Sequence, residues 1–249
     1  MAGHSKWANI QHRKGAQDKK RGKVFTKLIR AITIAARMGG GDLSTNPHLR
    51  LAMDKALAAN MPKDTIERAI KRGSGGLDGV ELEEVTYEGY GPGGVAILVK
   101  GMTDNRNRTV NEVRHTLSKA GGNLGASGSV AYLFSERGRI VFAEGADENK
   151  IMEVALEAGA EDVIVNDDTS IDVITSPDNF AAVKDAMLDS DLTVEYAAIT
   201  MIPSTKVELN KENAEKMLKM IDSLEELDDV QEVHTNSEVS DAVAKELEG

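Results

Sequence analysis

Apolar residues recur with a helical period in the first third of the chain and with the shorter period of strands thereafter. From about Lys23, the residues Phe25, Leu28, Ile29, Ile32 and Ala36 stand at i, i+3, i+4 spacing, which predicts an amphipathic helix. Met38 and the glycines at 39–41 end it, since glycine readily takes the left-handed cap conformation. Asn46-Pro47 opens a second helix, with a capping side chain followed by proline at the first helical position. Leu49, Ala52, Met53, Ala56 and Leu57 give its buried stripe. A third helix begins near Pro62, buries Ile66, Ala69 and Ile70, and ends at Gly73. Glycine and serine at 73–76, with Gly79 nearby, then mark a linker.

Beyond the linker, short Val/Ile-rich strands alternate with helices. Val85 and Tyr87 begin a strand, and GVAILVK at 94–100 is a buried one. Val110, Val113, Leu117 and Ala120 mark a helix face, and 130–134 is read as the next strand. From Arg139 the order is strand (140–142), helix (147–158), strand (162–165), strand (171–175), helix (with Phe180, Val183 and Met187 inward) and strand (194–201). That βαββαβ order is a complete ferredoxin-like unit. A strand at 206–209, a helix along Ala214, Met217, Leu218, Ile221 and Leu224, and a strand at 230–234 follow.

Residues 94–134 and 206–234 each supply half of such a unit. The expected fold class is therefore α+β: an N-terminal three-helix domain plus two ferredoxin-like α/β domains, the third inserted into the second. The expected boundaries are 1–76, then 80–136 joined with 204–249, and 137–203 as the insert. A linear string of domains with a small C-terminal appendage is the competing arrangement.

Charge sharpens this division. Residues 1–72 hold 16 Lys and Arg against 5 Asp and Glu, a net of +11, whereas the rest holds 14 against 36, a net of −22. Lys6, Arg13, Lys14, Lys19, Lys20, Arg21 and Lys23 are opposed over residues 1–23 only by Asp18, in a stretch without clear periodicity. A mobile cationic arm gains affinity for polyphosphate by releasing condensed counterions and needs no preformed pocket. Lys27 and Arg30 extend the basic face along the first helix, mostly away from its apolar stripe. Trp7 either stacks on an exposed base or anchors the arm on the helical domain. Residues 61–73 (MPKDTIERAIKRG) resemble the second half of a helix-turn-helix, with Lys63, Arg68, Lys71 and Arg72 available to phosphate. Asp104 or Asn105 is expected to cap the helix that follows, leaving Arg106 and Arg108 on the surface of an otherwise acidic body, with a second nucleic-acid contact as the alternative role.

The chemistry of catalysis is missing. The chain has no cysteine, its five histidines share no metal-ligand spacing, and neither a phosphate-binding P-loop nor a GxSxG elbow occurs. The loop GGNLGASG at 121–128 is glycine-rich without matching GxGxxG; its backbone N–H groups are a further candidate for phosphate. The expectation is a non-enzymatic protein with no cofactor, no metal and no small-molecule substrate. Its first residues lack an apolar signal core and no segment is apolar enough for a membrane span, so a cytoplasmic location and no membrane partner are expected.

The segments MAGHSKWANIQHRKGAQDKKRGK, NMPKDTIERAIKRG, YEGYGPGGVAILV, TDNRNRT and GGNLGASGSVAYLF resemble the signature segments of the YebC/PmpR family, in register over nearly the whole chain. That family includes the mitochondrial translational activator of cytochrome oxidase. The resemblance implies three domains with the third inserted into the second, and no catalytic activity. It also implies nucleic acid as partner. Bacterial members are carried as probable DNA-binding transcriptional regulators. The mitochondrial member acts in translation, and bacterial relatives are tied to stalled ribosomes, which leaves ribosomal or transfer RNA as the alternative target.

Overall fold

A computed structural model describes residues 21–75, 82–166 and 169–248. Its N-terminal part is helical: α1 (Arg21–Gly39), α2 (Pro47–Ala58) and α3 (Lys63–Gly73). The expected stripes meet in one core of Ile32, Ala36, Leu49, Ala52, Ala56, Met61, Ile66 and Ala69, except that Leu57, next to Ala56 on α2, is exposed rather than buried. Asn46 fixes the corner between α1 and α2. Its side-chain oxygen accepts from the Leu49 N–H at 3.0 Å while its amide donates to the Ala35 and Gly40 carbonyls at 2.7 and 2.8 Å. Gly73 does more than end a helix. A Cβ there would lie 2.1 Å from the Thr33 carbonyl oxygen, so glycine is what lets α3 lie against α1.

The next elements are β1 (Glu83–Tyr90), β2 (Ala96–Thr103), α4 (Arg106–Lys119) and β3 (Asn123–Leu124). After them come β4 (Phe134–Phe142), α5 (Glu148–Ala158), β5 (Asp162–Val165), β6 (Ile171–Thr175), α6 (Phe180–Asp189) and β7 (Tyr196–Pro203). The chain closes with β8 (Val207–Leu209), α7 (Lys211–Glu225), β9 (Val230–Thr235), β10 (Ser237–Val239) and α8 (Asp241–Glu248).

Two four-stranded sheets result. In one, the order β3-β1-β2-β9 brings strands from both ends of this region together, with Ile97 opposite Thr235 and Leu98 opposite His234. Val95, Ile97 and Val99 turn one face of it toward α4 and α7, onto Val113, Leu117, Met217 and Ile221. In the other, the order β5-β6-β4-β7 is wholly antiparallel, which is the ferredoxin-like arrangement. Its core holds Ile140, Phe142, Ile151, Val173, Phe180, Val183 and Met187.

Three local expectations change. Residues 130–134 are not a separate strand. A 3-10 turn spans Ala131–Leu133, and Phe134 starts a single long strand that also contains 140–142. The apolar run reflects anchoring instead: Val130 and Phe134 pack with Ala96 and Leu98 on the opposite face of the first sheet. The strand at 207–209 pairs parallel with β10 in a two-stranded sheet of its own. Buried Asn236 redirects the chain there, accepting from the Ala96 N–H at 2.8 Å through its side chain and from the Val207 N–H at 2.8 Å through its carbonyl. The C-terminal helix α8 was not foreseen; it seals the first sheet's core through Ala244.

We propose that residues 137–203 form a unit separable from 80–136 with 204–249. Glu136 and Met201 face each other across β4 and β7, so a two-residue Asn-Gly turn can replace residues 137–200 and keep Phe134 and Met201 in place. The shortened chain should unfold in one cooperative urea transition. A non-cooperative loss of signal would favour the linear arrangement.

Candidate nucleic-acid interface

Of the residues expected to meet nucleic acid, Lys6, Trp7, Arg13, Lys14, Lys19 and Lys20 lie outside the described residues, and Arg21 and Lys23 are placed only as backbone in the first turn of α1. Lys27 and Arg30, one helical turn apart, point away from the apolar stripe as expected, but not into solvent. The Lys27 ammonium donates to the Glu225 carbonyl at 2.6 Å. Arg30 donates to the Asp228 carbonyl and to Asp229 Oδ1, the latter at 2.7 Å. The turn after α7 thus covers this side of α1. Arg37 reaches the Leu82 carbonyl at 3.0 Å, and Lys55 lies 3.7 Å from Glu232 of β9.

On α3 the division is different. Ile66, Ala69 and Gly73 face the core, leaving Lys63, Arg68, Lys71 and Arg72 exposed. Arg68 is folded back on its own helix, to the Asp64 carbonyl at 3.2 Å and Thr65 Oγ1 at 3.4 Å. Lys71 and Arg72 occupy the last turn, where cations also complement the helix dipole. Asp64 and Glu67 share the exposed surface, so it is mixed in charge with a basic excess.

Asp229 collects most of the polar contacts beside α1. Its carboxylate is buried, with Arg30 on Oδ1 and, on Oδ2, Arg108 at 2.7 Å, Thr109 Oγ1 at 2.6 Å and Thr103 Oγ1 at 3.1 Å. Burial pushes its pKa up, but the Thr109 and Arg108 hydrogen bonds and the two guanidinium charges outweigh that and hold it below the usual carboxylate range. Asn105 is the cap of α4, accepting from the Arg108 N–H at 3.1 Å. Arg108 itself bridges Asp104 and Asp229, while exposed Arg106 pairs loosely with Glu83 at 3.5 Å. The TDNRNRT segment therefore builds a junction that includes the helical domain. A polar cleft of about 440 Å³ opens beside it, lined by Arg30, Arg108, Glu112 and Glu226 among others.

The 121–128 loop departs from its reading as a phosphate cradle. Two of its N–H groups, those of Gly125 and Gly128, are committed to Glu88, a buried carboxylate on β1, as are those of Val130 and Ala131 just beyond it. The N–H groups of Gly128, Val130 and Ala131 donate to it at 2.6, 2.7 and 2.7 Å, and the Gly125 N–H to the Glu88 carbonyl at 2.8 Å. Burial raises the Glu88 pKa, but the three backbone donors together win and lower it. Sequence reasoning passed over both Glu88 and Asp229. Glu88 had a signal, an acidic residue within a strand beside glycine-rich YGPGG; Asp229 had none beyond an acidic pair before a strand.

Among the described residues no group of three His, Asp or Glu side chains is placed to hold a metal, and no helix is long and apolar enough to cross a membrane.

Comparison with known proteins gives this arrangement its relatives. The N-terminal domain model of TACO1/YebC proteins matches residues 5–76, and the model of their second and third domains matches 82–237. The chain belongs to the TACO1/YebC family. Full-length members named probable transcriptional regulatory proteins include those of Idiomarina loihiensis, 60% identical over 100% of both chains, and Methylococcus capsulatus, 64% identical over 99% of this chain and 100% of that one. A conserved hypothetical protein of Aquifex aeolicus, known from its crystal structure, shares 48% identity and the fold, with a TM-score of 0.77 over 90% of this chain and 93% of that one. In this YebC-family chain, the matched boundary between residues 76 and 82 falls where α3 has ended and β1 has yet to begin.

Two substitutions test these contacts. Asp229→Ala removes the acceptor shared by two guanidinium groups and two hydroxyls, each of which keeps a second partner, and should cost about 3 kcal/mol in urea-unfolding free energy. Glu88→Gln places an amide against three N–H donors and should cost about 3 kcal/mol. Because the Glu88 pKa is lowered on folding, its contribution is present above the unfolded-state pKa and lost as pH falls through the folded one. The stability gap between natural chain and Glu88→Gln should therefore be full at pH 7 and narrow progressively below about pH 4.5. A gap independent of pH would rule out the carboxylate as its source.

Proposed function

We propose that this chain is a non-enzymatic, cytoplasmic regulator of gene expression that binds nucleic acid, with DNA as the target and the basic arm at 1–23 and the exposed cations of α3 as the grip. One observation carries the reading: net +11 over residues 1–72 against −22 over the remainder. Such a division holds a polyanion at one end and repels it from the other, fixing orientation before any specific contact forms. The exposed cations Lys63, Arg68, Lys71 and Arg72 on α3 give the grip a folded component beside the arm. The names of the relatives, probable transcriptional regulatory proteins, agree with DNA as target.

A second reading, a ribosome-associated factor that binds ribosomal or transfer RNA and relieves stalled elongation, is favoured by the surface of α3. A helix that enters a major groove runs between two phosphate walls, and Asp64 and Glu67 stand exposed among its cations. RNA recognised by shape at its surface makes no such demand.

If the arm neutralises about six phosphates, log affinity should fall with log salt at a slope of roughly −5 on duplex and about −4 on single strands. Deleting residues 1–23 should weaken binding and flatten that slope; unchanged binding would remove the arm from the site. Crosslinking in cells then separates the readings. Discrete promoter sites, bound ~10³-fold or more over random duplex, establish transcription. Crosslinks confined to ribosomal or transfer RNA establish translation.

A further inference from the structure

Tyr132 is the one exposed aromatic residue among those described, with 76% of its surface open to solvent. An exposed tyrosine in a turn is ordinary; its mounting is not. Val130 and Phe134 on either side are buried, at 0% and 6% exposure. The N–H groups of Gly128, Val130 and Ala131 are tied to the Glu88 carboxylate. On the other side, the Leu133 N–H donates to the Val130 carbonyl at 2.9 Å, and the Leu133 carbonyl accepts from the Ser204 N–H at 2.7 Å and its hydroxyl at 3.1 Å. Tyr90 adds a hydrogen bond from its hydroxyl to the Ser129 carbonyl at 3.1 Å. Gly128, at φ 84°, lets the chain turn back toward the carboxylate.

A buried carboxylate is a costly way to fix a loop tip, and here the fixed tip displays a flat ring. Tyrosine held this way offers large contact area with little conformational entropy left to lose on binding. The surroundings narrow the ligand. Residues 120–135 contain no charged side chain, the longest such run in a chain that is 29% charged. Asn123, Ala126, Ser127 and Gly128 are exposed in the same run. On a body of net negative charge, the loop itself adds no charged side chain to repel a strand's phosphates, and the Glu88 carboxylate beneath it is buried and met by three backbone donors.

From these contacts we propose that Tyr132 is a stacking platform for an unpaired nucleobase, and the loop at 121–133 a second, uncharged nucleic-acid site. The inference rests on the nucleic-acid reading above and adds single-stranded character to the ligand. It is tested on the full chain with an unstructured single-stranded oligonucleotide and a duplex of equal length. Tyr132→Ala should lose roughly tenfold affinity for the single strand, the scale of one base stacked on one ring. The salt slope should not change, since no charge is removed. Tyr132→Phe should bind like the natural chain, and duplex affinity should not respond to either variant. A single strand bearing 5-iodouracil should photocrosslink at position 132. Equal single-strand affinity for Tyr132→Ala and the natural chain, or crosslinks only elsewhere, overturns the proposal. Loss of a co-purifying protein from Tyr132→Ala, with nucleic-acid binding intact, overturns it in favour of a protein-docking surface. A natural chain that binds neither oligonucleotide removes the parent reading as well, a result distinct from normal binding indifferent to position 132.

Discussion

The buried carboxylate of Asp229 ties the helical domain to the first sheet. A lone ionised group in that position would be untenable, since desolvation of a carboxylate costs several kcal/mol even after relaxation. Asp229 is tolerable because two guanidinium groups and two hydroxyls converge on it. These partners come from α1, from the end of β2 and from the first turn of α4. Each partner therefore depends on the others being in place, and the pairing specifies one docking of α1 on the body among the many that net charge alone would allow.

That arrangement bears on how the basic face is shared. Lys27 and Arg30 have carbonyl and carboxylate partners in the turn after α7, while the cations of α3 are exposed. Helical-wheel reasoning shows which side of a helix avoids its own core. It does not show whether that side meets water or another part of the chain, since the turn that covers it lies almost 200 residues away in sequence.

What periodicity could reveal, it revealed. The three N-terminal helices, the Asn46 and Asn105 caps, the strands at 162–165 and 171–175, and the inward Phe180, Val183 and Met187 all follow from local pattern. The failures were apolar residues serving a purpose other than regular structure. Val130 and Phe134 look like a strand because both are buried, yet they bracket a turn. Glycine was similarly ambiguous: Gly73 was legible as a helix end, but not as the point of closest approach to Thr33. Glu88 and Asp229 escaped because a buried charge is defined by partners distant in sequence, and no local spacing encodes them.

The pairing of β2 with β9 carries a consequence for synthesis. Ile97 waits for Thr235 to complete its sheet, and a ribosome moving at about 5–20 residues per second takes on the order of ten seconds to deliver it. Throughout that interval AILVKGMT presents an open edge, with β1 on one side and nothing yet on the other. Such an edge is a template for pairing with another nascent chain. The residues made in the meantime include a sheet whose strands are all local to one another, so the body can acquire folded mass early while its first sheet stays open until β9 is made.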